Sequence, residues 1–324
     1  MALTSDIGKP MEPDQTSRTN RLLMQDRAFV SLTWLSATTV VLVLAGVMLS
    51  LLWDSIPALS TFGPSFLWTE RWSPAKEIFG AAAPIFGTLV TSIIAMIIGV
   101  PLSFGIAVFL TEICPMPLRR PIGIAIELLA GIPSIIYGLW GFFVLAPVMQ
   151  HTVQPFLIET FGQVPGIGLL FSGAPYGIGM LTASLVLAIM ILPFVTSVTR
   201  DVFETVPVML RESAYGMGMT TWEVVRYIMI PYTRLGLVGG IMLGLGRALG
   251  ETMAVTFVIG NSHRIATSLL APATTISASI ANEFSEATSG LYTSSLIALG
   301  LILFVISFSV LAMAKWLLGR VETF

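Results

Sequence analysis

Six stretches of predominantly apolar residues, at about 28–52, 84–112, 122–149, 176–200, 231–259 and 293–318, are each long enough to cross a bilayer as a helix. No other feature limits the chain so tightly. A segment in hydrocarbon has to satisfy its own backbone hydrogen bonds, which leaves helices as the solution for runs of this length. Composition agrees, with 55% of the 324 residues hydrophobic and 10% charged, where soluble domains carry about 25%. The reading is an all-α membrane protein with about six spans and the lipid bilayer as its solvent.

Ahead of the first run, residues 1–27 are polar, contain Pro10 and Pro13, and hold no apolar core followed by a small-residue cleavage site. They read as a disordered tail rather than a signal peptide, with the membrane domain over 28–324. Net charge is −2, so no bulk field draws the chain to nucleic acid. With the N-terminus inside, twelve Lys and Arg fall on the inner side, among them Arg119, Arg120, Arg200 and Arg211. Only Arg71, Lys76 and Arg264 fall outside. That asymmetry places both termini in the cytoplasm. Three outer loops follow, at about 53–83, 150–175 and 260–292, rich in Gly, Pro and aromatic residues. Phe62 to Pro74 suits an aromatic belt at the interface first, and a docking surface second. Cys114 is the lone cysteine and reads as a small buried hydrophobe. Pro133 and Pro193 are expected to kink the third and fourth spans.

The fifth run contains "GLGRALGETMAV", which puts Arg247 and Glu251 among glycine and hydrocarbon. On a continuous helix Gly236, Gly244, Arg247 and Glu251 all lie within about 40° of Gly240, so small residues and charges share one face. The glycines let a neighbouring helix, or a pore, approach closely. A charge at mid-depth costs at least about 2.5–3.5 kcal/mol, so Glu251, four residues on, is the expected partner of Arg247. Two readings stay open: a structural ion pair, or an anion path in which the guanidinium exchanges its carboxylate for a tetrahedral oxyanion that it grips with two donors. Glu127, just before Pro133, is a second intramembrane carboxylate that either shares Arg247 or serves structure.

The inner connection Arg200 to Pro231 is too amphipathic to be a plain linker. One helix starts near Pro207 and another after Thr220, with Glu223 in a capping-box position. Gly216 and Gly218 separate them. A hairpin lying on the membrane surface is the ordinary reading. "ESAYGMG" followed by "YIMIP" also resembles the loop signature of ABC importer permeases, at Glu212, Ser213, Ala214, Gly218, Ile228, Ile230 and Pro231, with Ser213 and Ile230 departing from the usual Ala and Leu.

Further segments narrow the resemblance. "FGTLVTS", "IELLAGIPSIIYG", "TVPVMLRESAYGMGMTTWEVV", "GLGRALGETMAV" and "ANEFSEATSG" together look like the PstC-type permease family of the bacterial high-affinity phosphate ABC importer. The resemblance covers nearly the whole chain beyond the polar tail. It implies the type I ABC importer permease fold, a heterodimer with a PstA-type permease, a PstB-type ATPase dimer on the cytoplasmic side and a PstS-type phosphate-binding protein outside. It also implies that the loop at about 201–230, through Glu212, Ser213, Ala214 and Gly218, couples to the ATPase. The chain has no Gly-x4-Gly-Lys-Ser/Thr phosphate cradle, so ATP and Mg are expected on the partner ATPase, with no cofactor in this chain.

Rival classes are a secondary transporter, for which neither an ion site nor a repeat is evident, and a permease for another oxyanion such as sulfate or molybdate. A phosphate-sensing membrane scaffold is a further alternative. A membrane-embedded enzyme lacks support: His151 and His263 fall in outer loops, and no nucleophile elbow or metal-ligand cluster is present. No catalytic or metal residue is assigned.

Overall fold

The computed structural model describes residues 13–321. They form, in order, α1 Pro13–Phe62, α2 Ala82–Val108, α3 Met116–Ala130, α4 Ser134–Trp140, α5 Ala146–Val148, α6 Gln154–Phe161, α7 Met180–Glu204, α8 Val208–Gly216, α9 Thr221–Val224, α10 Ile230–Gly250, α11 Met253–Ile259, α12 Ile276–Glu283 and α13 Gly290–Val321. π-Helical turns extend α2 to Ile113, fuse α4, α5 and α6 into one rod, and join α9 to α10. Among the described residues the only strand-like pairing is the bridge between Ser73 and Ile78.

Six segments are long and apolar enough to span a membrane: Arg21–Leu67, Ala82–Ile113, Ser134–Phe161, Met180–Glu204, Thr221–Gly250 and Gly290–Trp316. Six spans were expected, but the third and fifth differ in extent. The run 122–149 is not one helix. α3 stops at Ala130, Pro133 starts the next helix from an extended conformation, and that rod continues to Phe161. His151 therefore sits in a π-turn of this rod rather than in an outer loop. The run 231–259 breaks after Gly250, where Glu251 is extended at φ −70°, ψ 132°, before α11 begins.

The chain divides into two compact units, Met1–Trp53 and Asp54–Phe324. In the first, the described residues are helical, so the polar segment 13–27, expected as disordered, begins α1. Residues 21–27 are mostly good helix formers that extend an apolar helix already nucleated downstream. Residues 1–12 of the expected tail lie outside the described residues.

In the second unit α7 is the central post. Gly99 of α2 faces Ile191, where an added Cβ would lie 3.0 Å from Cδ1, so the two helices touch closely. Two hydroxyls tie them across that contact: Ser103 Oγ donates to Leu192 O at 3.1 Å and Thr196 Oγ1 to Ser103 O at 3.4 Å. On another side α10 lays its glycines on a valine ridge of α7. A Cβ at Gly236 would meet Val202 at 2.7 Å, at Gly240 Val198 at 3.0 Å, and at Gly244 Val195 at 2.6 Å. The small-residue face read from the sequence is thus a helix contact rather than an open wall.

The loop 260–275 is built into the fold. Its carbonyls at Leu269 and Ala271 accept from Leu181 and Met180, satisfying N–H groups that the start of α7 leaves open. An added Cβ at Gly87 would fall 1.9 Å from Thr274 O, so only glycine admits the loop against α2.

Candidate functional site

Arg247 lies in the last turn of α10, next along from the glycine stripe. Its guanidinium carbon sits 4.2 Å from the centroid of the Phe194 ring on α7. Its Nε is buried with no hydrogen-bond partner among the described residues. The side chain borders a hollow of about 440 Å³ walled by Phe194, Gly239, Met242, Leu243, Gly246 and Leu311. Stacking on a desolvated ring is worth about 2 kcal/mol or more, comparable to the about 2.5–3.5 kcal/mol that a mid-membrane arginine costs. The ring supports the cation without occupying its in-plane N–H donors.

The expected partner is elsewhere. Because the helix ends at Gly250, the four-residue spacing no longer brings Glu251 onto Arg247, and Glu251 Oε1 instead accepts from the Ala254 N–H at 3.1 Å, capping α11. Glu127 does not share Arg247 either. It pairs with Arg200 at 2.7 Å, an arginine that also meets Asp201 at 3.0 Å near the end of α7. Of the three residues read as a path, Arg247 alone faces the hollow.

A second break approaches the same region. Pro133 has no N–H to bond Leu129 O, and that carbonyl instead accepts from the Ile132 N–H at 3.3 Å and from the Tyr137 hydroxyl at 2.8 Å. α4 packs on α11 where Gly138 permits contact: a Cβ there would lie 2.8 Å from Phe257 and 3.0 Å from Ala254 Cα. The two interruptions, at 131–133 and 250–252, therefore flank one packed pair of short helices. Tyr137 was readable from the sequence as the hydroxyl four residues after the proline, whereas Phe194 had no signal beyond being one more apolar residue.

On the side of the 200–231 loop, α8 and α9 form as expected. Pro207 precedes α8, and Thr220 caps α9 with Glu223 completing a capping box. Gly218 has φ 85°, a left-handed conformation that other residues resist. Glu212, Ser213 and Gly218 are exposed. Ala214 is not: it is buried at 1% with Phe203, Val206, Val224 and Met229, so it anchors the helix rather than meeting a partner. Arg211 and Tyr215 of α8 both bind Glu112 in the π-turn after α2, at 3.1 and 2.9 Å. Burial and this bond push the Tyr215 phenol above its ordinary range.

At the opposite end, sequence reading passed over a half-buried polar cluster. Glu283 accepts from Trp72 Nε1 and from the Tyr292 hydroxyl, each at 2.6 Å, and meets His263 Nε2 at 2.7 Å. The His263 ring stacks on Trp72 at 5.0 Å. Burial alone would raise the Glu283 carboxyl. The hydrogen bonds from His263, Tyr292 and Trp72 outweigh it and hold the group below the usual carboxylate range. Among the described residues no group of His, Cys, Asp and Glu is arranged to hold a metal.

Residues 99–323 match the profile of a family described as binding-protein-dependent transport system inner membrane component. The phosphate transport system permease protein PstC of Mesorhizobium japonicum is 65% identical over 302 residues, covering 93% of this chain and 92% of that protein. Its namesake from Pasteurella multocida is 57% identical over 308 residues, covering 95% and 96%. Among solved structures, a bacterial ABC transporter involved in import of the acidic polysaccharide alginate has a chain that aligns with TM-score 0.60 at 15% identity, over 94% of this chain and 99% of that one.

Proposed function

The chain belongs to the family of binding-protein-dependent transport system inner membrane components, and from that premise we propose that it moves inorganic phosphate, released by a binding protein, through the membrane into the cytoplasm. It is a multi-pass inner-membrane permease subunit of a phosphate ABC importer. The observation that carries the reading is Arg247: a guanidinium stacked on Phe194, free of Glu251, at the edge of a hollow. Five N–H donors in a planar fork match a tetrahedral oxyanion, and passage requires a contact strong enough to admit the anion and weak enough to release it.

The remaining parts follow from the same reading. Both termini lie in the cytoplasm, in keeping with twelve inner against three outer cationic residues. The exposed edge of α8 and the α8–α9 turn, with Glu212, Ser213 and Gly218, meets a PstB-type ATPase dimer that binds ATP and Mg, since this chain carries no phosphate cradle of its own. A PstA-type permease completes the pathway and a PstS-type protein delivers phosphate from outside.

The test is reconstitution of the assembled complex in proteoliposomes with labelled phosphate and labelled sulfate supplied in turn. ATP-dependent phosphate accumulation, lost in Arg247→Gln while assembly persists, is the expected result. Normal uptake by that variant would remove the anion contact, and preference for sulfate would remove the substrate.

A further inference from the structure

We propose that Glu112 is a positioning residue that ties the ATPase-facing helix α8 to the α2–α3 corner, so that displacement of α8 is delivered to the membrane helices through a buried carboxylate rather than through the flexible chain alone. The proposal rests on the reading of α8 given above.

Glu112 stands at the foot of α2, and its side chain is 6% exposed although its chemistry is that of a surface residue. Both oxygens are engaged by one partner helix: Arg211 Nη1 at 3.1 Å on Oε1 and the Tyr215 hydroxyl at 2.9 Å on Oε2. Arg211 and Tyr215 are four residues apart, so they project from one face of α8 and grip the carboxylate as a pair. A carboxylate buried this far needs its partners to stay where they are, because a displaced α8 leaves it charged and unpaired. The clamp is therefore stiff compared with the exposed turn 217–220 that joins α8 to α9.

From Glu112 the link passes directly to α3. Arg119 Nη2 donates to Thr111 O at 2.7 Å, bracing the start of α3 on the residue next to Glu112. Farther along α3, Glu127 holds Arg200 of α7 at 2.7 Å. α3 then ends at the break whose Leu129 carbonyl is bonded by Tyr137. A push on α8 thus reaches both the central helix and the interruption at 131–133 through bonded residues.

The experiment uses the complete complex in proteoliposomes, reading phosphate imported per ATP hydrolysed and ATPase co-purification. In Glu112→Gln the ATPase is expected to remain bound and hydrolysing, while phosphate moved per ATP falls to about a tenth or less, the scale of a lost coupling between sites. The exchange Glu112→Arg with Arg211→Glu is expected to recover most of the ratio. An unchanged ratio in Glu112→Gln overturns the proposal. So does an assembled exchange variant that stays uncoupled, and so does failure of both variants to assemble, which would make Glu112 a residue of folding. Absence of phosphate transport in the unaltered complex would instead sink the proposed function, which separates the two failures.

Discussion

The contact of α10 with α7 gives the most direct test of how this fold is held. In Gly244→Ala the new methyl would lie 2.6 Å from Val195 Cγ2, with Met96 Cε and Sδ at 3.9 Å. Carbon atoms attract one another from about 3.5 Å outward, so the two helices have to part locally by roughly 1 Å. Overpacking of this kind costs about 1–3 kcal/mol. Alanine is a better helix former than glycine by up to about 1 kcal/mol, which offsets part of the loss. Gly239, on the same helix, supplies the control: a Cβ there meets nothing within 4 Å. Gly239→Ala takes the propensity gain without the clash, so the two variants should differ by about 1–3 kcal/mol. The assay is unfolding of the purified chain by SDS titration in mixed micelles, followed by circular dichroism. Adding Val195→Ala to Gly244→Ala should narrow the gap, because it removes the methyl that is struck. Equal stability of Gly244→Ala and Gly239→Ala, or no recovery on trimming Val195, would refute the packing argument.

Other outcomes follow from the same geometry. Because Glu251 caps α11 instead of pairing with Arg247, the exchange Arg247→Glu with Glu251→Arg should not restore phosphate uptake lost in Arg247→Gln; restored uptake in vesicles would bring the ion pair back. Gly218→Trp places a bulky side chain at a left-handed position on the exposed turn. It should abolish ATPase co-purification while lowering stability by only about 1–2 kcal/mol. Trp72→Phe removes one donor from Glu283 and should destabilise the Glu283 cluster by about 1.5–3 kcal/mol in chemical unfolding. The Glu283 carboxyl is lower when folded than unfolded. Its contribution is therefore present above the ordinary carboxylate value, about 4.3, and lost as pH falls through the depressed folded value. A melting temperature of the wild type that declines no faster than that of Glu283→Gln below that value would count against it.

Much of this was legible in the sequence, and the exceptions share a cause. Hydropathy located six spans because hydrocarbon thickness sets their length, and the Thr220–Glu223 box and the Gly218 turn were readable because capping and left-handed backbone are local properties. The glycine stripe was also visible, since spacing by four is a property of one helix. Pro133 signalled the break at 131–133 only as a kink, and the break at 250–252 escaped, because an apolar window registers no change when a helix stops inside it. Once the second break was missed, the wheel carried Glu251 onto Arg247 by a rule that holds only for continuous helices. Contacts between distant segments had no local signature at all. Phe194 beneath Arg247, Arg200 on Glu127 and Arg211 on Glu112 are separated by 53, 73 and 99 residues.

The hydroxyl that bridges Pro133 has a mechanical meaning. The interruption is held by the Tyr137 hydroxyl and the Ile132 N–H, both donating to Leu129 O, so bending there is opposed by about two hydrogen bonds, each near 1 kcal/mol. The pivot joins α3 to the rod that begins at Ser134, so a change of angle there unravels neither arm. Such a joint yields in one place, and that place adjoins the α4–α11 contact at Gly138, beside the second interruption.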